Sequence, residues 1–246
     1  MENLNDIRNV IITVGKSIPR KELFPTIVEE ASNLILSNPY AFSIGVCLDR
    51  GIRAEIIWTI PYDIKKELGH LDPKLIYQFS IPELLDLFCR LPRRPRYIND
   101  APRTLQQLTQ IVIEECGGNA ANFWSEKRAA QVNRTFQSIH GVGPGIANMG
   151  VLLIEAAFGV CFDDLDRKRM DIKPDVHTKR VLYRLGASKA ETEEAAAALV
   201  ATRTMNPDYP GELDRGLWWI GRNWCHASSP NCDHCPANSY YKKIIR

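Results

Sequence analysis

No charge of one sign dominates this sequence: 31 Lys and Arg stand against 29 Asp and Glu, a formal +2 over 246 residues. A chain so balanced has no whole-surface field for a polyanion or an acidic partner, so any basic surface must be local. Long apolar runs are missing too; a membrane helix needs about 18 consecutive apolar residues, and none occur. The first ten residues place Glu2 and Asp6 ahead of any apolar stretch and carry no small-residue cleavage signal. The expectation is a soluble, cytoplasmic (intracellular, nucleoid-associated or nuclear) monomer with no membrane partner. Internal repeats and low-complexity tracts are absent, which excludes solenoids and collagen-like chains. Disorder is excluded for the bulk of the chain, because 45% hydrophobic residues at this length bury a core without disulfides.

Strict two-residue alternation is scarce, and spacings of three and four take its place: Leu105, Leu108 and Val112; Val132, Phe136 and Ile139; Met149, Leu153 and Ala157. Pro39, Pro61, Gly69, Pro92, Pro95, Pro102, Pro174, Pro207 and Pro210 punctuate these stretches. The reading is an all-α protein of roughly ten helices. Residues 160–174 crowd Asp163, Asp164, Asp166, Arg167, Lys168 and Arg169 together and read as a surface loop between two lobes.

A helix over 125–139, the turn His140-Gly141-Val142-Gly143-Pro144-Gly145, and a second apolar helix over 146–158 make a helical hairpin. Three alternating glycines allow positive φ and close backbone approach, and Pro144 suits the first helical position. The turn then aims free amides and a positive helix end at a phosphate, so Gly141, Val142, Gly143 and Gly145 are candidate DNA contacts. An ordinary αα-corner packed through its glycines is the competing reading. The pattern resembles the helix-hairpin-helix motif.

Downstream, Lys173-Pro174-Asp175-Val176-His177-Thr178-Lys179-Arg180-Val181 leads into a helix that should stop at Gly186, with Asp175 as N-cap. A capping carboxylate needs no further role. A carboxylate held ionised at a helix N-terminus also suits cleavage of an N-glycosidic bond, because it stabilises an oxocarbenium-like transition state and activates water. The hairpin and this segment together resemble the endonuclease III branch of the helix-hairpin-helix DNA glycosylase superfamily. That resemblance implies a base excision repair glycosylase with Asp175 as its catalytic residue, His177 at the DNA, and duplex DNA as partner. Val176 replaces the family's usual threonine, and residues 160–172 look like an insertion. Where bifunctional relatives carry a Schiff-base lysine this chain has Gly145, so the expected enzyme is monofunctional and uses water. Two alternatives stand beside it: a glycosylase/lyase using Lys173 or Lys179, and a non-enzymatic lesion-binding protein on the same scaffold.

Seven cysteines form no even framework, and three of them, Cys225, Cys232 and Cys235, lie within eleven residues as C-x6-C-x2-C. Such clustering suggests metal ligation in a reducing compartment. It resembles the iron-sulfur loop that closes endonuclease III-like chains, whose fourth cysteine would fall at Tyr241. Three outcomes stay open: a 4Fe-4S cluster with an incomplete ligand set, zinc completed by His226 or His234, or a metal-free loop. Cys47, Cys89 and Cys116 read as small core residues, and Cys161 as the one distant donor.

Arg50, Ile52 and Arg53 flank Gly51 in the stretch that resembles the family's wedge loop, where they would fill the gap left by an extruded base or contact the backbone. Arg93, Arg94 and Arg96 form the densest basic turn, read as a phosphate grip or a solvated loop. Trp58, Tyr62 and Trp124 are stacking candidates or core aromatics. The resemblance implies two lobes, a helical barrel over 22–160 and a second lobe of 1–21 with 161–246, with DNA in the cleft between them.

Overall fold

A computed structural model describes residues 2–188 and 193–240. The described residues contain α-helices and short 3-10 turns and no β-strand. In chain order the helices are α1 (Glu2–Ser17), α2 (Glu29–Ser37), α3 (Pro39–Leu48), α4 (Ala54–Ile57), α5 (Ile60–Leu68), α6 (Pro73–Ile76), α7 (Ile81–Arg90), α8 (Ala101–Glu114), α9 (Ala129–Ser138), α10 (Pro144–Phe158), α11 (Val176–Arg184), α12 (Ala195–Met205) and α13 (Asp214–Asn223). The count exceeds the ten expected partly because α4 and α6 are single turns, too short for a 3.6-residue period to register. No helix among the described residues is long and apolar enough to cross a membrane.

Many prolines that punctuate the sequence prove to open helices. Pro39, Pro61, Pro73, Pro82, Pro102 and Pro144 all occupy first turns, where the missing N–H has no intrahelical partner to lose. The helix expected from residue 125 starts only at Ala129, after a turn in which Glu126 takes φ 57°. Asp164 supplies its cap by accepting the Ala129 N–H at 2.8 Å.

The chain divides into two compact units: residues 19–165, and the flanking segments up to 18 and from 166. The boundaries expected from sequence fall at 21/22 and 160/161. In the larger unit α3 is apolar all round and buried from Tyr40 to Leu48, as a central helix must be. Its Phe42 packs among Phe24, Trp58, Trp124 and Phe158, with neighbouring ring centroids 4.8 to 6.1 Å apart. Trp58 and Trp124, at 3% and 5% exposure, are therefore core and do not serve as stacking platforms for a base. Tyr62 is half-buried.

The smaller unit packs α1 and α11 against α13 around Ile7, Ile11, Val181, Leu182, Leu217 and Ile220. The α1–α13 crossing is close enough to require glycine: a Cβ on Gly216 would lie 2.0 Å from the Ile11 carbonyl oxygen. The irregular stretch from 160 to 174 is anchored at its ends: Phe162 and Leu165 are buried in the larger unit, Met170 and Ile172 in the smaller. Among the expected core cysteines Cys47 and Cys116 are buried, but Cys89 is exposed, since it falls on the outer side of amphipathic α7.

Candidate active site and DNA-contact residues

Asp175 caps α11 as its sequence position suggests. Its Oδ1 accepts the backbone N–H groups of His177 at 2.8 Å and Thr178 at 2.9 Å, two of the free amides every helix start leaves. The side chain is half-buried, and Oδ2 takes no hydrogen bond among the described residues. One oxygen thus secures the helix while the other takes no part in the cap.

Ahead of the cap the backbone doubles back on itself. The Lys173 carbonyl accepts the Asp175 N–H at 2.8 Å and the Thr178 hydroxyl at 3.1 Å, while the Lys173 N–H donates to Asp214 Oδ1 at 2.7 Å. Asp214 is the first residue of α13 and only 8% exposed. Burial pushes its carboxyl up from the ordinary 3.8 to about 7; the Asp175 charge adds to the shift, and the Lys173 amide opposes it. Nothing in the sequence marks this residue: an acid at a helix start is read as ordinary capping.

A stability prediction follows from that proton. The folded state keeps it up to about pH 7, whereas the unfolded chain loses it near 3.8. Stability contributed by the protonated carboxyl is therefore complete at low pH and lost as pH rises through about 7. Relative to Asp214→Asn, the wild type loses ~2–3 kcal/mol of unfolding free energy between pH 5 and pH 8, measurable by urea unfolding of both proteins at the two pH values.

His177, expected at the DNA, is half-buried and engaged from within: Arg180 Nη2 lies 3.0 Å from its Nδ1. A guanidinium only donates, so Nδ1 accepts and the ring proton sits on Nε2. Arg180 is 6% exposed and also donates to the carbonyls of Val176 (3.1 Å), Gly221 (2.9 Å) and Cys225 (2.6 Å). One turn on, buried Arg184 donates to the His226 and Ala227 carbonyls at 2.6 and 2.7 Å. The helix that opens at Asp175 therefore grips the start of the cysteine loop with two cations.

In the larger unit the hairpin forms as α9, a tight turn and α10, with Asn133 donating to Asn148 across it at 2.8 Å. Of the three glycines only Gly141 takes positive φ, at 79°; Gly143 is extended (φ −90°, ψ 174°) as the α10 cap, and Gly145 lies in the first helical turn. The left-handed turn thus needs one glycine, not three. Val142 is buried at 6%, and its N–H donates to the Ile139 carbonyl at 3.0 Å within the turn. The first-turn amides of Gly145 and Ile146 have no intrahelical acceptor, the condition for receiving an anion.

Arg50 departs from its expected wedge role. Its guanidinium lies on Gly141, where an added Cβ would fall 1.5 Å from Nη1; it donates to Thr104 Oγ1 at 3.0 Å and sits 5.4 Å from the Tyr97 ring centre. Thr104 in turn donates to the His140 carbonyl at 2.8 Å, and the His140 N–H donates to Gln107 at 2.6 Å. Arg50 therefore braces the hairpin turn and leaves its positive charge beside it. Arg53 is exposed and Ile52 half-exposed. The basic turn splits: Arg94 and Arg96 are exposed, but Arg93 is locked in a bidentate pair with Asp63, its Nε 2.7 Å from Oδ2 and its Nη2 on Oδ1. Two of its five N–H donors are committed to Asp63, and its charge is balanced by that buried carboxylate.

The cysteine loop tests poorly as a metal centre. Cys225, Cys232 and Cys235 line one pocket with Val181, Leu185 and Trp224, and Arg184 Nη1 lies 3.5 Å from Cys225 Sγ. Burial, with Cys225 and Cys232 nearby, pushes the Cys235 thiol up, and the Ala237 amide opposes the shift. Among the described residues no three His, Cys, Asp or Glu side chains converge to hold an ion. Neither His226 nor His234 lines the pocket, and the His234 ring bonds Asn231 at 2.8 Å. Position 241, Tyr241, lies outside the described residues. Three thiols with no fourth donor among the described residues do not fit a four-thiolate 4Fe-4S cluster, and no chemistry is assigned to one.

No protein-family model and no curated protein matches this chain. Solved structures do match. A trapped covalent endonuclease III–DNA intermediate, an estranged-adenine complex, shares 18% identity over 98% of this chain and 96% of that chain, with a TM-score of 0.63. A non-covalent endonuclease III–DNA complex shares 19% identity over 84% of each chain, with a TM-score of 0.58. A thermostable thymine-DNA glycosylase shares 17% over 99% of this chain and 98% of that chain, with a TM-score of 0.59. The chain has the all-α helix-hairpin-helix fold of these glycosylases.

Proposed function

We propose that this chain is a monofunctional DNA glycosylase of base excision repair, hydrolysing the bond between deoxyribose and a damaged, mismatched or modified base in duplex DNA. The observation that carries the reading is the Asp175 carboxylate: Oδ1 is fixed by two α11 amides, and Oδ2 has no partner among the described residues. Such a group stabilises positive charge developing at C1′ and takes a proton from the attacking water, while the C1′–N bond breaks and its electron pair leaves with the base. The products are a free base and an abasic site.

The same fold in two endonuclease III–DNA complexes and a thymine-DNA glycosylase supports the class. Support for hydrolysis over a Schiff-base route comes from Gly145, which has no amine at the hairpin position where a lysine would act. The Gly145 and Ile146 amides at the α10 start, with the His177 Nε2–H, are the groups this reading assigns to backbone phosphates, joined by exposed Arg53, Arg94 and Arg96. Base identity is tested with duplexes each bearing one lesion or mismatch, scored for abasic sites before and after alkaline cleavage. At least one duplex should yield alkali-dependent strand breaks and no borohydride-trapped adduct. A trapped adduct overturns the water route, and no abasic product from any duplex overturns the enzyme.

A further inference from the structure

We infer that Asp214 is a positioning residue for the reaction at Asp175: its buried carboxyl holds the Lys173 amide, and through it the backbone that delivers Asp175 to the head of α11. The inference rests on the glycosylase reading for its catalytic half. Its structural half rests on a short relay within one compact unit. Asp214 Oδ1 accepts the Lys173 N–H at 2.7 Å, the Lys173 carbonyl accepts the Asp175 N–H at 2.8 Å, and the Thr178 hydroxyl ties to the same carbonyl at 3.1 Å. A buried acid is costly unless its oxygens are used. Here one is spent on a loop amide two residues from the reacting carboxylate, with no cation close enough to form a salt bridge to it among the described residues.

The groups that face Asp214 are Asp175 and Lys173 from the segment ahead of α11 and Arg215 on α13 itself; Lys16 of α1 is taken up by Glu212 at 3.0 Å. Carrying its proton, Asp214 leaves the site with one negative charge, on Asp175, the arrangement that suits a single developing cation. Losing it places a second buried charge beside the first, which repels Asp175 and draws water toward the Lys173 segment. Asp214 thus tightens the site on the acid side of neutrality and loosens it above.

Three measurements test this on the full chain. Single-turnover base release at saturating enzyme should fall as pH rises through about 7 in the wild type and stay flat in Asp214→Asn, which keeps the acceptor but cannot ionise. Asp214→Leu, which removes the acceptor, should slow release by at least about tenfold with duplex affinity within about twofold. Independently of any substrate, the backbone amide resonances of Lys173 and Asp175 should titrate between pH 5 and 9 in the wild type and not in Asp214→Asn. Amides indifferent to pH, or a Leu variant with wild-type rate and profile, overturn the inference. If the amides titrate as expected but no duplex yields free base, the Asp214 relay stands and the glycosylase reading fails.

Discussion

Asp175→Asn is expected to slow base release by ~10³-fold or more, the scale lost when a preorganised charge at a developing cation is removed, while duplex affinity by fluorescence anisotropy stays near wild type. The substitution is informative because of how the side chain is used. Asparagine retains Oδ1, so the acceptor for the His177 and Thr178 amides, at 2.8 and 2.9 Å, survives and α11 keeps its cap. What disappears is the charge and the basic oxygen at Oδ2. Asp175→Ala removes the cap as well, and thermal unfolding should show a further loss of ~1 kcal/mol that the Asn variant does not share. A non-enzymatic lesion binder would show no change in either affinity or turnover with Asn, because in such a protein the residue only caps a helix.

Arg93→Ala should produce the second large effect, a loss of ~3–5 kcal/mol in unfolding free energy, because it strands a buried charge. Asp63 is 3% exposed, and Arg93 satisfies both of its oxygens. Duplex affinity of the molecules that remain folded should be unchanged. The neighbouring exposed cations should behave in the opposite way. Arg94→Ala and Arg96→Ala should leave stability within ~0.5 kcal/mol and reduce the salt dependence of duplex binding by ~1 in log–log slope for each phosphate that is no longer neutralised. Urea unfolding and binding isotherms at two salt concentrations separate the cases. If Arg93→Ala weakened binding while leaving stability intact, the Asp63 pairing would not be its role.

These contrasts show where sequence is legible. The hairpin and the α11 start can be read because each is local: glycine spacing, a proline at a helix head and an acid at an N-cap act over a few residues, and the chain folds as those rules require. The three-glycine reading over-reaches, since spacing does not say which glycine bears the positive φ; only Gly141 does. Roles set by distant partners are invisible. Nothing near Arg93 announces Asp63, thirty residues back. Nothing near Arg50 announces Gly141 or Thr104, and nothing near Asp214 announces Lys173. Composition says that an arginine is charged but not whether tertiary structure has already claimed that charge. The same limit applies to Trp58 and Trp124, whose helical spacing is shared by core and stacking aromatics until burial distinguishes them.

Arg180 and Arg184 reach from the helix that Asp175 opens to the carbonyls of Cys225, His226 and Ala227. Those carbonyls are the root of the cysteine segment, and charge-assisted donors moor them at several points. The segment is therefore fastened mainly through backbone carbonyls, with one further donation from Arg184 Nη1 to Cys225 Sγ. Reagents that alkylate Cys232 or Cys235 would leave this mooring in place, whereas any force that drags the root outward pulls on the helix beneath Asp175.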